Sequence, residues 1–425
     1  MMSFLSIVKQ YIDKAMRRGF SYIVISSILN KIFVFASTVF LNRILSQQDY
    51  GYISFAYNIV SIILVVSSLG VDVSLLQFCC EDRPEYEKRS LEKYAFIIGI
   101  TSNLVFSAIT LIIARLWRFN IPDSMEVLAK FSFLLPFPFV VKYCSALLRS
   151  KLDNKKFALL TNISSAAYLG GLIIFAVPFG LNGAIIGRYF GFVVPAALGI
   201  LLCMPFFQSI LSGDFPKKTL VNEFMSYGIT VMLTNGVSSL LYYIDIYVVG
   251  IVTSNAISIA AYKTATIIPN ALATLPNVIV VFIYPYFARN KDNKVWIINN
   301  TKMIQKSVFA GCICVALVLF FAAPKVIVVF FGEQYLASVL PFRILLLSFS
   351  ISAPFRVISG NIIAMLGKVK ANFVIGLISC LVNIVMDYFF IKLWGSVGAA
   401  IATTSIMAIA SIMSNIYLYK VFALK

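Results

Sequence analysis

About a dozen apolar stretches, each long enough to cross a bilayer, make up almost the whole of this 425-residue chain, and several carry a lysine or arginine in mid-span. They fall near residues 20–42, 51–73, 94–116, 126–148, 157–177, 182–204, 224–249, 257–284, 307–330, 338–364, 372–391 and 396–420. A hydrocarbon core takes about 20 apolar residues of helix. A lysine or arginine at its centre costs about 2.5–3.5 kcal/mol on insertion scales. Lys31, Lys142, Arg188, Lys263, Arg343 and Arg356 are therefore poor candidates for a lipid-facing surface. They point to a polar cavity between helices, one whose field attracts an anion.

Composition agrees with a membrane-embedded chain. Hydrophobic residues make up 60% and charged residues only 12%, about half the charged share of an ordinary soluble domain. The net charge of +18 would suggest nucleic acid in a soluble protein, but cytoplasmic loops of membrane proteins collect lysine and arginine. No nucleic-acid partner is expected. With the N-terminus inside, inner segments hold about 23 basic residues and outer ones about six, alternating loop by loop. Both termini are thus expected in the cytoplasm. Residues 1–18 place Phe4, Val8, Ile12 and Met16 opposite Lys9, Asp13 and Lys14, the pattern of a short helix lying on the inner membrane surface rather than a cleavable signal.

Several chemistries lack their residues. Histidine is absent, and the seven cysteines show no metal or redox spacing at Cys79-Cys80 or Cys312-x-Cys314. No metal site is expected. There is no phosphate-cradling glycine loop followed by lysine and serine or threonine, and no nucleophile–base arrangement of soluble-hydrolase type. The connectors, such as Arg43–Asp49, Glu81–Lys93 and Arg149–Lys156, are too short to hold a separate catalytic domain. A glycan polymerase with a large outer loop is therefore disfavoured, and the chain reads as a transporter, not an enzyme.

Three acids lie within or at the ends of spans: Asp72, Asp245 and Asp387. An intramembrane carboxylate can pair with a cation, bind sodium or relay a proton. Asp245 and Lys263 fall toward the same side on consecutive spans, so an ion pair is the first expectation there. Prolines at 269, 276 and 285 around the eighth span and at 341 and 354 in the tenth interrupt spans and could serve as hinges.

The two halves of the chain echo each other. Phe179-Gly180-Leu181-Asn182-Gly183-Ala184-Ile185 corresponds to Trp394-Gly395-Ser396-Val397-Gly398-Ala399-Ala400, and the same ungapped offset sets Lys155 on Lys370. Gly51-Tyr52-Ile53-Ser54 corresponds to Ala261-Tyr262-Lys263-Thr264 at nearly that offset. Six spans per half give both halves one orientation, a common transporter design with the substrate site between halves that rock. The expected division is 1–210, the amphipathic N-terminal segment with spans one to six, and 211–425, spans seven to twelve.

Motifs in order along the chain carry a resemblance. They are Leu41-Asn42-Arg43-Ile44-Leu45-Ser46-Gln47-Gln48-Asp49-Tyr50-Gly51-Tyr52, then Ser68-Leu69-Gly70-Val71-Asp72, then Asp245 before Ala261-Tyr262-Lys263-Thr264-Ala265. Phe331-Gly332-Glu333-Gln334-Tyr335, Ala364-Met365-Leu366-Gly367-Lys368 and Gly395-Ser396-Val397-Gly398-Ala399-Ala400 follow. The sequence resembles the polysaccharide transporters, the O-antigen (Wzx-type) flippases of the multidrug/oligosaccharidyl-lipid/polysaccharide (MOP) exporter superfamily. That resemblance implies an all-α polytopic membrane protein with about twelve transmembrane helices in two pseudo-symmetric six-helix lobes. It implies transfer of an undecaprenyl-pyrophosphate-linked oligosaccharide, an O-antigen or similar repeat unit, from the cytoplasmic to the periplasmic leaflet of a bacterial inner membrane. A glycan polymerase and a chain-length regulator are the partners it implies. No cofactor is expected; sodium, protons or the membrane potential could drive turnover. The alternatives are a multidrug antiporter, whose organic cations these lysines and arginines would repel, and a lipid II flippase, which commonly has two more spans.

Overall fold

Helices account for nearly all of the computed structural model, which describes residues 20–116, 121–211, 214–290 and 293–423. The surface helix expected over residues 1–18 lies outside them. In chain order the helices are α1 (Phe20–Ile44), α2 (Gln47–Val66), α3 (Val71–Cys80), α4 (Glu85–Leu116), α5 (Pro122–Phe131) and α6 (Pro136–Ser150). There follow α7 (Asn154–Gly171), α8 (Val177–Leu211), α9 (Lys218–Thr253), α10 (Ala256–Leu272) and α11 (Leu275–Arg289). The last four are α12 (Lys294–Phe331), α13 (Val339–Ser352), α14 (Ser359–Met365) and α15 (Val369–Ala423). No strand occurs among the described residues.

Nine helical stretches among the described residues are long and apolar enough to cross a membrane. Two of them, Asn154–Phe207 and Lys370–Lys420, run to 54 and 51 residues, more than twice what one crossing takes. Each turns back at a glycine, Gly180 (φ 53°, ψ −127°) in α8 and Gly395 (φ 55°, ψ −130°) in α15. Helices α10 and α11, of 17 and 15 residues, supply one more crossing broken at Ala273 and Thr274. The crossings thus reach the dozen expected, and the chain is a multi-pass membrane protein.

The repeat read in the sequence has a backbone counterpart. Past each bend a second glycine lies so close to the preceding helix that a Cβ on Gly183 would sit 1.8 Å from the Phe175 carbonyl oxygen, and one on Gly398 1.9 Å from that of Phe390. The loops before these hairpins also match. Leu152 (φ 59°) and Gly367 (φ 74°) both take left-handed backbone, and the N–H groups of Asp153 and Lys368 donate back to Leu148 and Ile363 at 2.9 and 3.1 Å. This is the paired closure that ends many helices.

The chain divides into two compact units. One takes the described residues of Met1–Ile44, Ile63–Trp117 and Glu126–Leu233; the other takes those of Leu45–Ile62, Arg118–Met125 and Thr234–Lys425. In the first, α4 buries a row of small residues, Ser90, Gly99, Asn103, Ser107, Thr110 and Ala114. It exposes Leu104, Val105, Ile109 and Ile112. Small residues let membrane helices approach closely, while apolar ones cost nothing against lipid. Phe78, Phe139, Tyr143, Leu147, Leu160 and Phe224 pack beside this row. The loop after α3 is pinned by Arg83, bonded to Glu81 at 2.7 Å and to Glu223 at 3.2 Å. The Arg83 guanidinium holds the Glu81 carboxyl below the usual carboxylate range.

Candidate functional site

Within the first unit, a chamber of about 480 Å³ opens between α1, α3, α6 and α7. Its walls follow from helical periodicity. Helix α3 buries Val71, Ser74, Leu75 and Phe78, one face at i, i+3, i+4 and i+7. Asp72, Val73 and Leu76 are thereby turned toward the chamber. Ser74 fixes that rotation by donating to the Phe224 carbonyl at 2.8 Å. Helix α6 buries Phe139, Val140, Tyr143, Cys144, Leu147 and Leu148, which leaves Lys142, Ser145 and Arg149 on the chamber side. Asn30 of α1 donates to the Thr161 carbonyl at 3.3 Å and also to Ser165. That pairing brings Thr161 and Ser164 of α7 to the opposite wall.

Two cations and one acid therefore share a pocket whose remaining polar groups are amides and hydroxyls. Among the described residues no ion pair joins Asp72 to Lys142. Such a lining can take an anion on the ammonium and the guanidinium fork, with hydroxyl groups of the same ligand on Asp72, Asn30 and Ser164.

The second unit holds a buried acidic cluster. Asp245 of α9 is 3% exposed and Asp387 of α15 is fully enclosed. Asp245 Oδ2 accepts from Tyr262 of α10 and Thr403 of α15, both at 2.7 Å. The Asn383 amide donates to Asp245 Oδ1 at 2.6 Å and to Asp387 Oδ2 at 3.0 Å. Two acceptors, Asn383 Oδ1 and Asp387 Oδ1, are buried without a hydrogen-bond partner. A cavity of about 50 Å³ reaches Asp245, Tyr262 and Thr403, room for about one water or ion.

Residues 40–340, more than half of the chain, match the polysaccharide biosynthesis protein family. The chain belongs to that family. An uncharacterized membrane protein of Methanocaldococcus jannaschii is 20% identical over 424 residues, covering 95% of this chain and 96% of its own. Among solved structures, an inward-facing multidrug-resistance MATE transporter of the MOP superfamily superposes with a TM-score of 0.77 at 13% identity, covering 93% of this chain and 95% of the other. The lipid II flippase MurJ, in an inward closed conformation, gives 0.74 at 16% identity, covering 93% and 86%. A Pyrococcus furiosus MOP transporter, whose binding pocket is described as reversed in polarity, gives 0.64 at 15%, covering 96% of each chain. These neighbours establish the MOP-type membrane-transporter fold expected from the sequence.

Other residues singled out in the sequence stand apart from the chamber. Lys31 is exposed on α1, next to the chamber residue Asn30. The Arg188 guanidinium stacks 3.9 Å from the Tyr168 ring within the α7–α8 hairpin. Half-buried Lys263 follows Tyr262 on α10, and the Asp245 carboxylate accepts bonds from Tyr262, Asn383 and Thr403. Arg356 donates to the Met407 sulfur at 3.0 Å from the π-turn Ala353–Ile358.

Arg343 of α13 donates through Nε to the Phe320 carbonyl at 3.1 Å and lies 4.9 Å from the Phe320 ring. Pro324 has no N–H, so this carbonyl of α12 lacks its usual helical partner. Sequence reasoning missed Arg149, counted among loop charges, though its seven-residue spacing from Lys142 marks one helix face. It also missed Asn383, four residues before Asp387.

Proposed function

We propose that this protein is a flippase for a polyprenyl-diphosphate-linked oligosaccharide, undecaprenyl pyrophosphate being the bacterial carrier, working by alternating access. The observation that carries the reading is that Lys142 and Arg149 of α6 and Asp72 of α3 line one chamber of the first unit. A diphosphate leaving the headgroup layer loses water and counterions. A fixed cation about 4 Å away returns about 4 kcal/mol at an effective dielectric of ~20. Amide and hydroxyl groups beside the cations suit sugars, while an organic cation would be repelled. Membership in a polysaccharide biosynthesis family favours the same cargo over lipid II or drugs. The direction is cytoplasmic to periplasmic leaflet across the inner membrane, with both termini cytoplasmic. A negative-inside potential adds about 2.3 kcal/mol per charge per 100 mV to outward movement of the anion. A polymerase and chain-length regulator would take the product on the far side.

The acidic cluster is the proposed coupling site. Two carboxylates sharing one buried amide cannot both stay ionised without a neutralising charge nearby. That charge would be a proton on one carboxyl or a sodium ion beside Asp245, where the small cavity opens; sodium is the ion we propose to test first.

Purified protein reconstituted in liposomes with a fluorescent lipid-linked oligosaccharide tests the cargo, read by quenching of the outer leaflet. K142Q/R149Q should flip at least tenfold more slowly, and K142R/R149K should keep most activity. Equal rates for the wild type and the charge-neutral pair would refute the reading.

A further inference from the structure

A second cavity, of about 740 Å³, lies in the second unit between α12, the π-turn Ala353–Ile358 with the end of α13, and the last turns of α15. It is an open groove with an apolar lining: Ile351, Phe355 and Ala408 are half-buried, and Ile412 and Ile416 are exposed along it. Lys420 stands at its mouth, and the Lys302 ammonium lies 5.6 Å from the ring of Tyr419, another mouth residue. Both lysines are exposed.

The polar side of this crevice has no bonds to spare. Gln305 donates to Asn415 Oδ1 and Ser359 Oγ, each at 2.8 Å. Asn415 in turn donates both amide hydrogens, to the Phe355 carbonyl at 2.7 Å and that of Ser411 at 2.8 Å. Tyr419 donates to Gln305 Oε1 at 3.3 Å. This network ties three helices at fixed spacing and offers a ligand no free amide donor. A sugar would find little to bind here. An apolar chain would fill the space and recover the dispersion contacts an empty slot forfeits.

The depth selects the chain. From Lys420 to Ala408 the helix descends twelve residues, about 18 Å at 1.5 Å per residue. One leaflet contributes about half of a 30 Å hydrocarbon core, about 15 Å. We infer that this crevice binds one acyl chain of an anionic bilayer phospholipid, its phosphate held at the mouth by Lys420 and Lys302. A polyprenyl tail would be far longer than the slot is deep, so the occupant is a membrane lipid and not the cargo.

The full-length protein, reconstituted in liposomes containing phosphatidylglycerol with a diazirine in one acyl chain, is illuminated and its adducts mapped by mass spectrometry. Adducts on residues 408–416 should exceed those on the exposed face of α4 (Leu104, Ile109, Ile112) at least fivefold. They should fall at least fivefold in K302Q/K420Q, and also in Ile412→Trp, which fills the slot while keeping both lysines. Unlabelled phosphatidylglycerol should compete. Labelling no higher than on α4, or unchanged in both variants, would overturn the inference. Competition by a polyprenyl phosphate but not by phosphatidylglycerol would overturn the choice of occupant.

Discussion

Removing Arg343 should cost this protein more than a surface arginine does, and removing Pro324 as well should return most of the loss. Arg343 Nε reaches the Phe320 carbonyl at 3.1 Å, the acceptor that Pro324 leaves without an N–H one turn along α12. A hydrogen bond from a charged donor contributes about 1.5–3 kcal/mol. Stacking on the Phe320 ring at 4.9 Å adds about 0.5–1 kcal/mol. Arg343→Ala should therefore destabilise by about 2–4 kcal/mol. In a Pro324→Ala background the helix supplies its own N–H to the same carbonyl, and only the stacking term remains. The coupling energy of the cycle is then about 1.5–3 kcal/mol.

Thermal or denaturant unfolding of the four proteins in one detergent gives that energy directly, because the cycle cancels whatever Pro324→Ala does alone. Arg343→Lys should recover little, since a flexible ammonium lacks the planar fork. Costs additive to within about 0.5 kcal/mol would show that Arg343 does not serve the proline gap. Flipping in Arg343→Ala, corrected for folded fraction, should stay near the wild-type rate. A deep loss of rate without loss of stability would return Arg343 to a cargo role.

Two further outcomes follow from the geometry. Asp245 and Asp387 are bridged by bonds of 2.6 and 3.0 Å to a single amide nitrogen, so their bonded oxygens are under about 6 Å apart. A cation held at one carboxylate, about 6 Å from the other, thus gains about 3 kcal/mol from that second charge at an effective dielectric of ~20. Asp387→Asn should weaken sodium-dependent thermal stabilisation about a hundredfold in midpoint concentration, and an unshifted midpoint would refute the coupling site. Leu152, held at φ 59° where its counterpart is Gly367, should tolerate Leu152→Gly with a gain of about 0.5–1 kcal/mol once the added chain entropy is subtracted. A lower melting temperature would contradict the equivalence of the two loops.

Much of the architecture was legible because a bilayer imposes one rule on every span: apolar length near 20 residues. The glycine motifs repeated at one offset then marked where the two longest helices turn back, at Gly180 and Gly395. The sites were less legible. Within a span, polarity no longer marks the outside, so Ser74, Asn103 and Asn383 read alike although one orients α3, one braces α4 and one joins two acids. Lys142 and Asp72 were visible as expensive residues, yet their meeting in one chamber depended on which faces of α3 and α6 the core cluster took. Arg343 was visible for the same reason, but its partner is a carbonyl, which no side-chain pattern announces. Asn383, Asp387 and Thr403 lie on the two arms of one hairpin, while Asp245 and Tyr262 arrive from α9 and α10.

The repeat connects the two kinds of site. The offset that sets Gly180 on Gly395 also sets Arg188 on Thr403, Tyr168 on Asn383 and Leu172 on Asp387. Arg188 and Tyr168 touch, at 3.9 Å from guanidinium to ring centre; Thr403 and Asn383 meet on the same Asp245 carboxylate. The offset relating Gly51 to Ala261 sets Phe35 opposite Asp245, so the first copy has no acid at any of these places. One hairpin geometry therefore carries opposite electrostatics in its two copies. The first has a positive charge built into the chain, stacked on a ring and always present. The second has two buried carboxyl groups joined through one amide. A fixed cation suits a constant task such as lowering the barrier for an anion, while an acid pair suits a task that must be switched, because its charge changes when the ion arrives or leaves. Under the proposed function the second copy would serve energy coupling, while Arg188 of the first copy adds its charge to the unit that holds the chamber without lining it.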